Sequence, residues 1–440
     1  MAALTTEGFQ EAQPSGLDLF SLPPTQTAVS NMYYDEQRST SQLTGNAPIE
    51  FTIAAQNSLE YVDLKRSKLY LRVRIKHANG SFLKATEYVG PVNLFLQSLF
   101  SQVDVTIQNK LVTSTTTHYP YKSMIQTLLS YGSDAKKSQL TTQLWIKDKT
   151  GHYDDCDVKN GTNASLYNRS LYLSESQTCD LEGPLLHDLF NLDRYILNGV
   201  AINVKLYRSR PEFCLLTNEA NPNFEVVIED IALKVCKLQV NPSVITAHAE
   251  KLKSTNAKYP FTRTEVRLIS IPGGSLSFNY NNLFNGLRPT RVVIGFVDSA
   301  AAAGSYTLNP FNFQHFNLSQ LALKLNQVPV TGNIMQLNYD TKGRATLPAF
   351  TSMFEVTNKW MRDSGNSLNR DDIAGGNAFY CFDVEPNFSD EGHYLNLLKQ
   401  GTCSIEAVFK KPLKKATACV VYAEYPSYFE INLERGIILE

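Results

Sequence analysis

Three stretches of this chain gather side chains that could do chemistry. His152-Tyr153-Asp154-Asp155 with Asp157 offers oxygen ligands of the kind a hard divalent cation takes. Glu385, Asp390, Glu391 and His393 form a second acidic group. Lys410, Lys411, Lys414 and Lys415 crowd four cations around Pro412, a charge density able to touch phosphate. Neither acidic group has a Gly-rich turn beside it to fix ligand geometry, and the spacing of the second fits no EF-hand, so both read as solvated loops. The lysines read first as protection of a loop or edge strand. Their second reading is a weak, salt-sensitive, sequence-blind contact to nucleic acid.

Signatures of enzymes are missing from the sequence. There is no phosphate-cradling G-x-x-x-x-G-K-[ST], no G-x-G-x-x-G after a strand and no G-x-S-x-G elbow. The seven histidines, His77, His118, His152, His187, His248, His315 and His393, never fall within a few residues of one another. A tandem β metalloenzyme of the cupin kind needs paired histidines on one strand. The seven cysteines are odd in number and lack a C-x-x-C pair, which argues against a disulfide framework and a zinc finger and fits a reducing compartment. The expectation is therefore no catalytic residue, no cofactor and no metal.

The elements that carry these residues repeat. Pro91-Val92-Asn93 precedes Ser101-Gln102-Val103-Asp104-Val105-Thr106-Ile107; Pro310-Phe311-Asn312 precedes Ser319-Gln320-Leu321-Ala322-Leu323-Lys324-Leu325. The step is 219 from Asn93 to Asn312 and 218 from Ser101 to Ser319. After each Ser-Gln the apolar residues alternate, the period of a strand with one buried face. A repeat of half the chain length is too long for a solenoid unit and predicts a duplicated domain. Asn93 and Asn312 read as side chains that bond local backbone and shape the turn before the strand.

Residues 1–47 read as an N-terminal arm, with Glu7, Glu11, Asp18, Asp35 and Glu36 against Arg38 alone, a net of −4. Its apolar cluster, Leu17, Leu19, Phe20 and Leu22 before Pro23-Pro24, has two readings: docking on its own domain, or, through Leu19 and Phe20, an anchor on a neighbouring subunit. Residues 48–245 form the first unit, 246–259 a polar connector and 260–440 the second unit. Each unit runs strand, turn, strand, Pro-Asn segment, strand, helix, long loop and closing strands. The helix of the first has Pro120 near its start and Gly132 at its stop. Many short strands with long returning loops predict an all-β fold of two tandem eight-stranded jelly rolls, with short helices and long loops at 147–183 and 361–378.

Composition agrees. The 440 residues are 43% hydrophobic and 11% aromatic, enough for a full core in each half. A net charge of −1 gives no global field for nucleic acid or anionic membrane. No charged-then-apolar stretch opens the chain, and apolar runs such as Val292–Val297 are of strand length, so no membrane insertion is expected.

At particular residues the sequence resembles the hexon-like major capsid protein of Polintons (Mavericks), also called adintoviruses. The likeness is densest over residues 85–210 and includes Val89-Gly90-Pro91-Val92-Asn93-Leu94-Phe95-Leu96-Gln97-Ser98-Leu99-Phe100-Ser101-Gln102-Val103-Asp104-Val105. Leu17-Asp18-Leu19-Phe20 with Pro23-Pro24, Leu128–Lys136, Asp188–Val200, Asn309–Phe313 and Val421–Tyr425 extend it over most of the chain. The resemblance implies a double jelly roll of the adenovirus-like lineage of DNA viruses. It further implies a homotrimeric, pseudo-hexagonal capsomer of six upright barrels that tiles an icosahedral shell around double-stranded DNA. Partners would be other copies of the chain, a penton-type single jelly-roll protein and minor capsid proteins, with at most non-specific contact to packaged DNA. The location would be the virion, and the long loops would rise as outer towers or clasp neighbours. Two alternatives stand beside it. One is a tandem jelly-roll hydrolase, which would need a cleft of perturbed carboxylates. The other is a glycan- or receptor-binding β-sandwich protein, whose support is Tyr153, Tyr167 and Tyr172 at loop tips.

Overall fold

Alternating apolar residues fix which face of each strand is buried, and the buried faces build two sandwiches. A computed structural model of the protein describes residues 12–43, 45, 47–55, 59–113, 116–385 and 395–439. Glu7, Glu11, Asp390, Glu391 and His393 lie outside them. The first half holds β1 (Val29–Arg38), β2 (Ile49–Ile53), β3 (Glu60–His77), β4 (Phe100–Ile107), β5 (Cys179–Gly183), β6 (Ile202–Arg208) and β7 (Phe224–Val240). The second holds β8 (Ala257–Ile271), β9 (Ser277–Tyr280), β10 (Arg291–Asp298), β11 (Leu318–Leu325), β12 (Phe379–Asp383), β13 (Cys403–Phe409) and β14 (Thr417–Ile431), with β15 (Ile437–Leu439) added on β14.

Adding seven to each strand of the first half gives its partner in the second. One sheet runs β1-β7-β3-β5 and its counterpart β8-β14-β10-β12. The other runs β2-β6-β4 and then Lys110–Leu111, and its counterpart runs β9-β13-β11 and then Val328–Pro329. The short pieces Thr116–Thr117 and Met335–Gln336 pair β4 and β11 at equivalent places. All these ladders are antiparallel, and each half is a jelly roll: the chain is a double jelly roll.

The Ser-Gln repeat has a physical cause. Register against the neighbouring strand slips between Phe100 and Gln102 and again between Leu318 and Gln320, so Ser101 and Ser319 are each the extra residue of a bulge. Their hydroxyls donate to carbonyls of the facing strand, Ser101 to Arg208 at 3.2 Å and Ser319 to Val408 at 2.9 Å. Both strands then close on turns with two left-handed residues, Gln108-Asn109 and Asn326-Gln327, the geometry a tight hairpin demands. Val103, Val105 and Ile107 pack against Val204 and Leu206 in the first core; Leu321 and Leu323 face Ile405 and Ala407 in the second.

Helices accompany the barrels, among them α1 (Tyr119–Ser130), α2 (Ala164–Ser170), α3 (Pro242–Leu252), α4 (Leu347–Glu355) and α5 (Arg370–Ala374). α1 and α4 follow β4 and β11 at matching points of the two halves, and α1 starts with Pro120 in its first turn.

Three expectations are corrected here. Val29–Arg38, assigned to the arm, is strand β1, paired along its length with β7. It is a sheet edge exposed on both faces, so its side chains show no alternation and backbone pairing alone defines it. The polar connector 246–259 is mostly the end of α3 and the start of β8. Residues 147–183 are no solvated excursion: they contain α2 and β5 and bury Asp148, Tyr153, Val158, Leu166 and Arg169.

Candidate functional site in the junction between the barrels

The two long loops find each other. Asp148, Tyr153 and Asp154, from the segment after α1, reach the second barrel as a row of acceptors. Asp148, fully buried, accepts from Arg169 Nη2 at 2.7 Å and Asn163 Nδ2 at 2.9 Å, both in its own half. Its other oxygen accepts from Asn309 Nδ2 at 3.1 Å, across the junction. Asp154 accepts from Asn309 N at 2.8 Å and Asn312 Nδ2 at 2.7 Å. The Tyr153 hydroxyl accepts from Asn377 Nδ2 at 2.7 Å. Burial pushes the Asp154 carboxyl above its usual range, against the pull of these donors.

From the opposite side, α5 returns the contact. Asn369 and Asp372 form a reciprocal capping box, which stops the helix from fraying and aims Asp372 at the first half. Asp372 accepts from Lys147 Nζ at 2.6 Å and from the Thr150 hydroxyl. Burial would raise its pKa, but the Asn369 backbone, Lys147 and Thr150 hold it below the usual carboxylate value. Gly151 N donates to Gly375 O at 2.7 Å. Gly376, at φ +116°, lets the chain pass beside Tyr153, where a Cβ would stand 2.5 Å from the ring.

A second clasp lies under α1. Lys122 Nζ donates to Asp188 Oδ1 at 2.6 Å, and both side chains are buried. Asp188 also accepts from Thr264 N at 2.9 Å and Thr264 Oγ1 at 2.7 Å, on strand β8 of the other barrel. Burial works against the Asp188 charge, yet Lys122 and His187 beside it keep its pKa low. Between the clasps, Tyr121 meets Phe213, Phe311 and Phe313 edge-on at 5.9–6.1 Å, sealing the junction with apolar area. Chemically this is a rigid weld: buried charges meet partners, and removing one would strand the other.

The stretch from His152 to Asp157 is thus part of the weld, not the solvated loop expected. Asp155 turns away and accepts from Thr162 Oγ1 and Thr162 N, both at 2.6 Å. Among the described residues no group of three or more His, Cys, Asp or Glu could hold a metal ion. Glu385 is buried against Arg288 at 2.5 Å and Lys399 at 3.0 Å, an ion-paired site rather than a solvated loop. Asn93 behaves as expected locally, accepting from Leu94 N at 2.9 Å, and it also accepts from Ile146 N at 2.9 Å. Asn312 instead spends its amide on Asp154. Tyr153 is buried, so of the three tip tyrosines only Tyr167 and Tyr172 meet solvent.

The remaining candidates stay on the surface. Lys410, Lys411, Lys414 and Lys415 are exposed on the loop between β13 and β14, with Lys410 paired to Asp340. Leu19 and Phe20 are 74% and 98% exposed, and Leu17 and Leu22 beside them are exposed too. Within the single chain the cluster does not dock on its own domain.

Sequence reasoning missed Lys122, Asp148, Arg169, Asp188, Thr264 and Asp372. One signal existed: Lys122 interrupts the apolar face formed by Tyr121, Met124, Ile125 and Leu128.

Fold and weld together define a double jelly roll whose barrels are fused side by side, the architecture of known viral shell proteins. The chain is similar to a protein of the Sputnik virophage structure (TM-score 0.62, 11% identity, covering 98% of this chain and 92% of that one). It is similar to the PBCV-1 virus capsid protein (TM-score 0.59, 11% identity, 96% and 99% covered) and to the Faustovirus major capsid protein (TM-score 0.52, 10% identity, 96% and 95% covered). In sequence it is 24% identical over 433 residues to an uncharacterized protein of Caenorhabditis elegans, F54H12.2, covering 95% of this chain and 99% of that one. No model of a known protein family matches it.

Proposed function

We propose that this chain is a major capsid protein. Three copies form a pseudo-hexagonal capsomer of six barrels, and capsomers tile an icosahedral shell around double-stranded DNA. The observation that carries the reading is the strand-for-strand repetition of one sheet order in two halves welded side by side. A tile with six similar lateral faces covers a hexagonal lattice with one gene product. Fold likeness to proteins of viral shells supports it.

The weld also supports the trimer. In the second half, edge strand β8 packs on the first half through Thr264. The equivalent edge of the first half, β1, has Met32, Tyr33 and Tyr34 exposed. Repeating the intrachain contact between chains would cover that edge and close a ring. The role is structural rather than enzymatic, located in the virion. The resemblance to Polinton capsid proteins supports that lineage, and a near-full-length relative in a nematode fits an element carried by animal genomes. Five-fold vertices would take a penton-type single jelly-roll protein, with minor capsid proteins as further partners. The exposed lysines at 410, 411, 414 and 415 are candidates for weak phosphate contact.

Size-exclusion chromatography with light scattering tests this. A stable species of three chain masses, growing into uniform particles, is the expected result. A monomer at every concentration contradicts it.

A further inference from the structure

We propose that the apolar stretch Leu17–Leu22 of one copy docks into the open cavity at the passage between the barrels of a second copy. The proposal rests on the self-assembly argued above and names the contact that links copies.

The cavity, about 510 Å³, lies where the chain passes from one barrel to the other. That size is in the range of sites that bury a ligand of several apolar groups. Tyr61, Leu197, Val240, Val244, Leu252 and Tyr259 supply apolar wall from β3, the loop before β6, β7, α3 and β8. Arg194, Lys251 and Lys258 stand among the lining residues. Asp193, the one acid there, is already paired with Lys65 at 2.6 Å. Lys258 has Glu430 at 3.8 Å, while Lys251 has no acidic partner among the described residues.

The arm is the complement. Leu17, Leu19, Phe20 and Leu22 are all more than half exposed, a cluster that water disfavours. Asp18 lies between Leu17 and Leu19, so an acid would enter with the apolar groups and meet the basic rim.

Two features direct the arm outward, to another copy. Ala28 and Val29 line the same cavity, so each arm leaves from its own cavity's mouth. Gln26 clamps that exit, accepting from Val29 N at 2.8 Å and donating to Val29 O at 3.0 Å. Pro23-Pro24 then favours an extended course over the reversal a return would need. Extended, the nine Cα–Cα steps from Phe20 to Val29 reach about 30 Å, enough to cross to an adjoining barrel.

The test places the photo-crosslinking residue benzoylphenylalanine at position 20 of the full chain, where nearly complete exposure leaves folding untouched. Heavy- and light-isotope copies are mixed before assembly, and crosslinked peptides from the assembled fraction are read by mass spectrometry. The expected result is a mixed-isotope crosslink from position 20 to residues 240–259. In parallel, Val244→Glu and Leu19→Ser/Phe20→Ser should each raise the assembly midpoint about tenfold or more, with unfolding midpoints unchanged. A crosslink confined to one chain, a crosslink to another surface, or none in assembled material overturns the docking while leaving the capsid reading standing. A chain that never assembles overturns both.

Discussion

Replacing Lys122 with Met removes the cation of the clasp under α1 and keeps most of the side-chain volume. Among the described residues, Asp188 is then left buried with the two Thr264 donors alone, at 2.9 and 2.7 Å. Breaking a buried pair by deleting one partner costs about 3–5 kcal/mol. The pH dependence carries the diagnostic sign. In the native chain the folded pKa of Asp188 is depressed, so its contribution is present above the unfolded value, about 3.9, and fades as pH falls through the folded pKa. Without Lys122, burial dominates and the folded pKa rises, so the penalty is full at neutral pH and is relieved as pH drops through that raised value. The gap between Lys122→Met and native chain should therefore shrink from pH 8 to pH 5, by up to about 1.4 kcal/mol per unit. His187 beside it, pushed down to about 3 by burial and by Lys122, is neutral in the native chain across this range. Urea unfolding followed by tryptophan fluorescence measures this. Trp145 is buried near the junction and Trp360 is half exposed, so a Trp360→Phe background isolates the reporter. A destabilisation below about 1 kcal/mol, or one independent of pH between 5 and 8, would refute the reasoning.

Lys136 donates at 2.7 Å to the carbonyls of Leu128 and Asn366, and burial, then Lys147 and Lys359, bring its pKa down to about 7. The unfolded chain holds that proton up to about pH 10.4, so native stability should rise between pH 7 and 9, and Lys136→Met should flatten the rise in urea titrations. Gly376→Ala adds a Cβ 2.5 Å from the Tyr153 ring at positive φ, and should lower the urea midpoint by the equivalent of about 1–3 kcal/mol or more. An unchanged midpoint would mean the loop does not pass that closely. Lys411→Gln/Lys414→Gln/Lys415→Gln should reduce the salt slope of non-specific DNA binding by about one for each phosphate these lysines neutralise, seen by fluorescence anisotropy. Lys410→Gln alone should change it least, because Asp340 already holds that ammonium.

The duplication was legible because its signal is local. Ser101-Gln102 and Ser319-Gln320 mark bulges, and the alternation after them reports one buried face. The helix at Tyr119–Ser130 announced itself through its spacing, Pro120 in its first turn and Gly132 past its end. Strand β1 was not legible, because an edge exposed on both faces imposes no pattern on Val29–Arg38. The weld was hidden for a different reason. Asp148, Arg169 and Asp372 sit in polar stretches that look solvated until partners from distant positions arrive. Asp148 finds Asn309, and Asp372 finds Lys147, across separations no window along the chain can span. Polar composition gave no warning that these segments are core.

Electron cryomicroscopy of the purified, assembled protein tests the central claim most directly. The account predicts a three-fold ring of six barrels, alternating between the two halves, with β1 of each chain covered by its neighbour. Single chains, or rings that leave β1 open to solvent, would contradict it.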